Sequence, residues 1–237
     1  LETWGDLACF SRPEMKVERY SYPIITPSAA RGIFDAIYFK KDYNFFWQIK
    51  RIELLEPPKY IALRRNEVKD KASTSEIQKW INGAKQITPL WADGNRDELG
   101  TDQKGRTQRQ TMALKNVRYR IYAHIVCRDN KADINALNSQ FERRAMHGKC
   151  FYQPFFGCRE FPAYFELVKT APLTPAFDLD LDLGWMLYDV FDLNQVNNNQ
   201  AKPAISVFRA QLKSGILQVP DYHSPEVHKI EGEVHVE

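Results

Sequence analysis

Between Gln103 and Arg128 the chain places seven basic residues, Lys104, Arg106, Arg109, Lys115, Arg118, Arg120 and Arg128, and not one Asp or Glu. A second cluster is Arg143, Arg144, His147 and Lys149, with Glu142 beside it; a third is Lys59, Arg64 and Arg65. The balancing acids sit elsewhere, at Asp178, Asp180, Asp182, Asp189 and Asp192. Net charge is only +3, so the basic character is local. Such patches suit phosphate backbones, because each neutralised phosphate releases counterions. Aromatic residues make up 13% of the chain, and Tyr20, Tyr22, Tyr38, Phe39, Tyr119, Tyr122, Phe151 and Tyr152 lie close to basic positions. Rings stack on single-stranded bases while Arg and Lys follow the backbone. Taken singly, each ring also fits a core and each charge a solvated surface.

Other chemistries find no support. There is no phosphate loop, no dinucleotide fingerprint and no nucleophile elbow. His124, His147, His223, His228 and His235 are not spaced as a metal site, and Cys9, Cys127, Cys150 and Cys158 form no zinc pattern. No metal and no cofactor is expected. Free thiols point to a reducing, cytoplasmic setting, and no run of about 18 apolar residues predicts a membrane span. Metal-free RNA cleavage remains open. It needs a base for the 2′-OH, which attacks the adjacent phosphate, and cations for the developing charge.

The elements that must position these residues follow from periodicity. Leu1 to Phe10 reads as a strand and residues 11–20 as a charged loop or edge. Pro27 and the cap Ser28 start a helix in which Ala30, Ile33, Phe34 and Ile37 share one face. That helix delivers Tyr38 at its end. Phe45 to Leu55 is a strand. Residues 64–111 are polar and glycine-punctuated, with a short helix near Glu76 to Ile81; an arm over a ligand or partner is expected. Strict alternation from Val117 to Val126 predicts a strand with Arg118 and Arg120 on the open face. A helix from Asp133 to Gly148 turns Leu137, Phe141 and Ala145 inward. Strands follow at Ala163–Val168 and Leu183–Leu193. A hairpin turns at Lys213-Ser214-Gly215, and a loose tail starts at Pro220. The pattern is α+β. It suits a ferredoxin-like βαββαβ core with an inserted arm and a small C-terminal β extension. The expected division is residues 1–170, RNA-binding domain with arm, and residues 171–237, extension and tail.

Several segments resemble one family: Trp4-Gly5-Asp6-Leu7-Ala8-Cys9-Phe10, Arg12 to Arg19, Ser28 to Ile33, Ile37-Tyr38-Phe39-Lys40, Arg64 to Val68, and Gly157-Cys158-Arg159-Glu160-Phe161-Pro162-Ala163. In consistent order to about residue 220, they resemble the CRISPR-associated Cas-five proteins in their d variant, of type I-C systems. The resemblance implies a subunit of the Cascade surveillance complex that holds the 5′ handle of CRISPR RNA in antiviral defence. It also implies metal-independent cutting of the precursor transcript, leaving a 2′,3′-cyclic phosphate. Implied partners are CRISPR RNA, the repeated backbone subunit, the large subunit, and target DNA within the assembled complex. The family's catalytic Tyr corresponds to Tyr38. Its Lys-His pair would fall near the start of the second long helix, where the chain reads Asn135-Ala136-Leu137-Asn138-Ser139-Gln140. His147 and Lys149 stand at the far end of that helix and complete the candidate catalytic set. Candidate RNA contacts are Lys16, Arg19, Arg31, Arg64, Arg65, Arg109, Arg143, Arg144 and Arg159. A catalytically silent RNA-binding subunit is the alternative reading.

Overall fold

A computed structural model describes residues 1–40, 45–101, 103–128, 133–169, 173–195 and 203–230; His235 lies outside them. The described chain divides into two units, Leu1–Ile61 with Met112–Glu237, and Ala62–Thr111.

The first unit is built on antiparallel strands. β1 (Glu2–Ala8) lies between β5 (Arg106–Cys127) and β6 (Tyr164–Glu166), with Trp4 opposite both Arg118 and Tyr164. β3 (Phe45–Leu54) pairs with the other edge of β5, with a register shift between Ile49 and Arg51. The four strands therefore run in the order β3-β5-β1-β6. Helix α1 (Pro27–Ile37) links β1 to β3, and α4 (Ile134–Met146) links β5 to β6. The two-residue strand β2 (Arg19–Tyr20) adds to β5.

Both helices turn their apolar stripes to one core. Ile33, Phe34 and Ile37 of α1 and Leu137, Phe141 and Ala145 of α4 are buried. The Phe141 ring stacks on Phe34 at 5.2 Å and meets Trp47 of β3 at 4.5 Å, contacts worth more than their area alone. The cap of α1 is Thr26, not Ser28: its Oγ1 accepts from Ala29 N, which leaves Pro27 at the first helical position, where no N–H is needed.

The strands that follow continue this sheet. β7 (Leu181–Asp189) pairs with β8 (Ser206–Lys213), which turns through Ser214 and Gly215, both at positive φ, into β9 (Ile216–Gln218). β9 pairs with β3, which ties the hairpin to the core strands. The tail expected to be loose from Pro220 is instead ordered to Ile230. Tyr222 is buried, and β10 (Val227–Lys229) pairs with β8. Because β7 occupies one edge of β8, both β9 and β10 use the other. Among the described residues, Arg209 to Gln211 are left without a strand there, facing a cleft of about 770 Å³.

The polar face of β5 also departs from expectation. Arg118 is half-exposed, but Arg120 is buried. Its guanidinium donates to Glu2 of β1, to Glu53 of β3 and to the Thr174 carbonyl. Two neighbouring strands each supply a carboxylate, so the charge is satisfied inside the fold. Burial pushes the Glu2 carboxyl up, but the hydrogen bonds from Arg120 and Arg118 outweigh it and hold the group below the usual range.

Two glycines explain motifs with no evident chemistry. Gly157 sits at φ 79, and a Cβ there would lie 2.0 Å from the Cys9 carbonyl; one on Gly5 would meet Pro162 O at 2.7 Å. Only glycine lets the 156–162 loop close on β1, where Cys9 N donates to Phe156 O.

The second unit has β4 (Tyr60–Val68) paired with β5 in place of an irregular arm. It carries α2 (Thr74–Ile81), which buries no residue, and the single turn α3 (Arg96–Leu99), closed by an Asn95–Glu98 capping box.

Candidate RNA-contacting site

The C-terminal ends of α1 and α4 meet. Helix ends leave carbonyls without intrahelical partners, and here α4 and the segment after it supply the donors. Arg144 Nε donates to the Ile37 carbonyl at 2.6 Å, and Phe151 N donates to the Ala36 carbonyl at 2.7 Å. The Arg144 guanidinium also lies 4.0 Å over the Phe151 ring. Its positive charge at the end of α1 complements the helix dipole.

Tyr38 follows Ile37 directly. It is only 7% exposed, its ring stacks on Phe45, and its carbonyl accepts from Trp47 Nε1. Beyond Arg144, α4 ends at His147, and the chain reverses through Gly148 at φ 62, with Lys149 N returning to the Arg144 carbonyl. Arg143, His147 and Lys149 are all exposed there. His147 Nδ1 is 2.7 Å from the Arg143 carbonyl. A carbonyl can only accept, so Nδ1 carries the proton, and a neutral imidazole then presents Nε2 as the base. The corner thus sets the end of α1, with Tyr38 next along the chain, against the end of α4 that carries Arg143, Arg144, His147 and Lys149. The start of α4 is a different place, where Asp133 caps the Asn135 amide.

The remaining candidates are dispersed. Lys16 is exposed in the charged loop. Arg19 is half-buried and donates to Cys158 Sγ at 3.2 Å and to Glu160 at 3.5 Å; Arg159 beside them is exposed. Arg64, Arg65 and Arg109 belong to the second unit. Arg64 is exposed, while Arg65 is committed to Thr111 and Glu67.

Arg31 is the clearest departure. It turns inward, paired through Nε and Nη2 with the buried Asp189 at 2.7 and 3.1 Å, and through Nη1 with Asp35. Its charge is spent within the protein. Burial pushes the Asp35 carboxyl up to about 6, against the pull of Arg31. The pairing of Arg31 with Asp35 and Asp189 was missed from sequence. Asp35 had a signal, its i,i+4 spacing from Arg31; Asp189, on a distant strand, had none.

Among the described residues no cluster of His, Cys, Asp or Glu is arranged to hold a metal ion, all four cysteines are free thiols, and no helix is long and apolar enough to cross a membrane.

Fold and corner together describe an α+β protein with exposed cations and an imidazole at the end of α4. The family described as CRISPR-associated protein (Cas_Cas5), in its Cas5d form, matches residues 1–220. The chain is 40% identical over 238 residues to a protein of Mannheimia succiniciproducens named CRISPR pre-crRNA endoribonuclease Cas5d, covering 97% of each. It is 35% identical over 244 residues to a protein of the same name from Thermus thermophilus, covering 98% of this chain and 95% of that one. In fold it is similar to a functionally uncharacterized protein from Streptococcus mutans, at TM-score 0.62 and 17% identity over 96% of this chain and 94% of that one. A solved CRISPR-associated protein matches at TM-score 0.59 and 18% identity, with the same coverage. The chain belongs to the Cas5d family of CRISPR-associated proteins.

Proposed function

We propose that this protein is the RNA-holding subunit of a type I-C CRISPR surveillance complex and that it cuts precursor CRISPR RNA without metal. The observation that carries the reading is the match, over nearly the whole of both chains, to two relatives named pre-crRNA endoribonucleases. The helix-end corner supports it. His147 Nε2 takes the proton of the 2′-OH, whose oxygen attacks the adjacent phosphorus as the P–O5′ bond breaks and the leaving 5′-oxygen takes a proton from solvent; Lys149 and Arg143 meet the phosphate as charge builds, and Tyr38 orients the strand. The product ends in a 2′,3′-cyclic phosphate. The repeated backbone subunit and the large subunit are the protein partners, target DNA joins in the assembled complex, and the setting is the cytoplasm. The strand order β3-β5-β1-β6, with α1 and α4 as the two crossovers, supports the ferredoxin-like reading of the core. In it the basic arm is an insertion and residues 171–237 are the β extension.

A silent subunit of the same complex is favoured by two facts: Tyr38 is buried, and Asn135 to Gln140 contain no Lys or His. Incubating labelled repeat RNA with the protein in EDTA separates the readings. Cleavage at a single site in the hairpin, weakened in Tyr38→Phe, is expected; tight binding without a cut by either protein would leave the silent subunit.

Binding has its own signature. Arg143→Ala and Arg64→Ala should each weaken RNA binding and flatten the slope of log affinity against log salt by about one unit. A slope unchanged in either variant would remove that residue from the phosphate contacts.

A further inference from the structure

A cleft of about 440 Å³ runs along α1. Arg31, Gly32 and Asp35 come from the helix, Tyr152 and Phe155 from the loop after α4, and Phe191 from the end of β7. At Gly32 the helix is bare, and a Cβ there would meet nothing within 4 Å. Tyr152 and Phe191 are half-exposed, so their rings present apolar surface that the fold itself does not cover.

The polar part of the lining is selective. Arg31 carries one positive charge against the two carboxylates of Asp35 and Asp189, so the cluster holds a surplus negative charge. Asp35 Oδ2 accepts from Arg31, while Oδ1 has no partner among the described residues. A phosphate would be repelled here; a group bringing N–H donors would be held. Arg159 is exposed and within electrostatic range of the Tyr152 phenol, so the cation available to a phosphate lies outside the cleft lining.

Aromatic rings for a base face, a carboxylate for donors and a cation for the backbone together suit a nucleotide. The bases differ in what they offer a carboxylate. Guanine has adjacent N1–H and N2–H donors. Adenine and cytosine place an acceptor beside their amine, and uracil has one N–H between two carbonyls. We propose that this cleft is a subsite for one unstacked guanine of the bound RNA. Asp35 accepts from N1–H and N2–H, Tyr152 and Phe191 take the ring faces, and Arg159 meets the adjoining phosphate. The inference rests on the RNA-binding reading above.

The test compares uridine-rich single strands with one central guanine, inosine or adenine, measured by fluorescence anisotropy slightly above neutral pH. Guanine should bind about tenfold more tightly than adenine, with inosine, which lacks the N2 amine, between them. Asp35→Asn should erase that order. Tyr152→Leu should weaken the guanine strand by about fivefold or more, and melting curves report whether each variant is folded. Equal binding of guanine and adenine strands by the wild type, or a guanine preference that survives in folded Asp35→Asn, would overturn the subsite alone. Failure of every strand to bind would overturn the RNA-binding reading and the subsite with it.

Discussion

His147→Ala should slow cleavage of the precursor by about 10² to 10⁴, the usual contribution of a positioned general base, with affinity for the repeat RNA close to wild type. The argument is geometric. His147 is at the exposed end of α4, its Nδ1 is committed to the Arg143 carbonyl at 2.7 Å, and Nε2 is thereby left as the accepting nitrogen. The substitution removes the base without touching Leu137, Phe141 or Ala145, which hold the helix to the core. Single-turnover rates in EDTA beside equilibrium binding would separate chemistry from affinity. Cleavage at the wild-type rate in His147→Ala would sink the assignment; loss of binding and cleavage together would make His147 a contact residue and not a base.

Arg120→Ala should lower unfolding free energy by up to about 3 to 5 kcal/mol, the usual cost of removing one partner from a buried ion pair. Here Glu2 and Glu53 each lose a buried partner, keeping only the more exposed Arg118 and Arg51, and the Thr174 carbonyl loses a donor. Arg118→Ala is the control. It contacts the same Glu2 carboxylate at 2.8 Å, yet its side chain is 44% exposed, so the loss should stay below about 1 kcal/mol. Urea denaturation of the three proteins gives both numbers, and equal losses would refute the distinction between the two arginines. The sign with pH follows from the depressed Glu2 carboxyl. Its contribution is present above the ordinary carboxylate range and is lost as pH falls through the folded-state value.

The contrast between these arginines shows what the chain makes legible. Period-two alternation placed Arg118 and Arg120 on one face of β5 but could not say what covers that face. The cover comes from Glu2 and Glu53, more than sixty positions away along the chain. Arg31 is a similar case: its inward turn depends on Asp189 of β7. The α1 stripe was readable because Ala30, Ile33, Phe34 and Ile37 are local, and so was the Ser214-Gly215 hairpin, where two residues at positive φ are the turn's own requirement. β4 was not readable, since its residues are alternately exposed and half-exposed, with none buried. The corner was partly legible. Tyr38, Arg143, Arg144, His147 and Lys149 were all named from sequence, but their meeting depends on Arg144 and the Ile37 carbonyl, a contact no spacing rule announces.

The open stretch of β8 between β10 and β9 bears on how the protein behaves at high concentration. Unpaired strand edges invite other chains to add and keep adding. This one spans only Arg209 to Gln211 and is stopped at both ends by strands of the same molecule. An incoming segment would find room for one or two backbone bonds and no continuing template, beside the polar side chains of Arg209, Gln211 and Lys213. Among the described residues this stretch of β8 thus offers an added strand little to pair with.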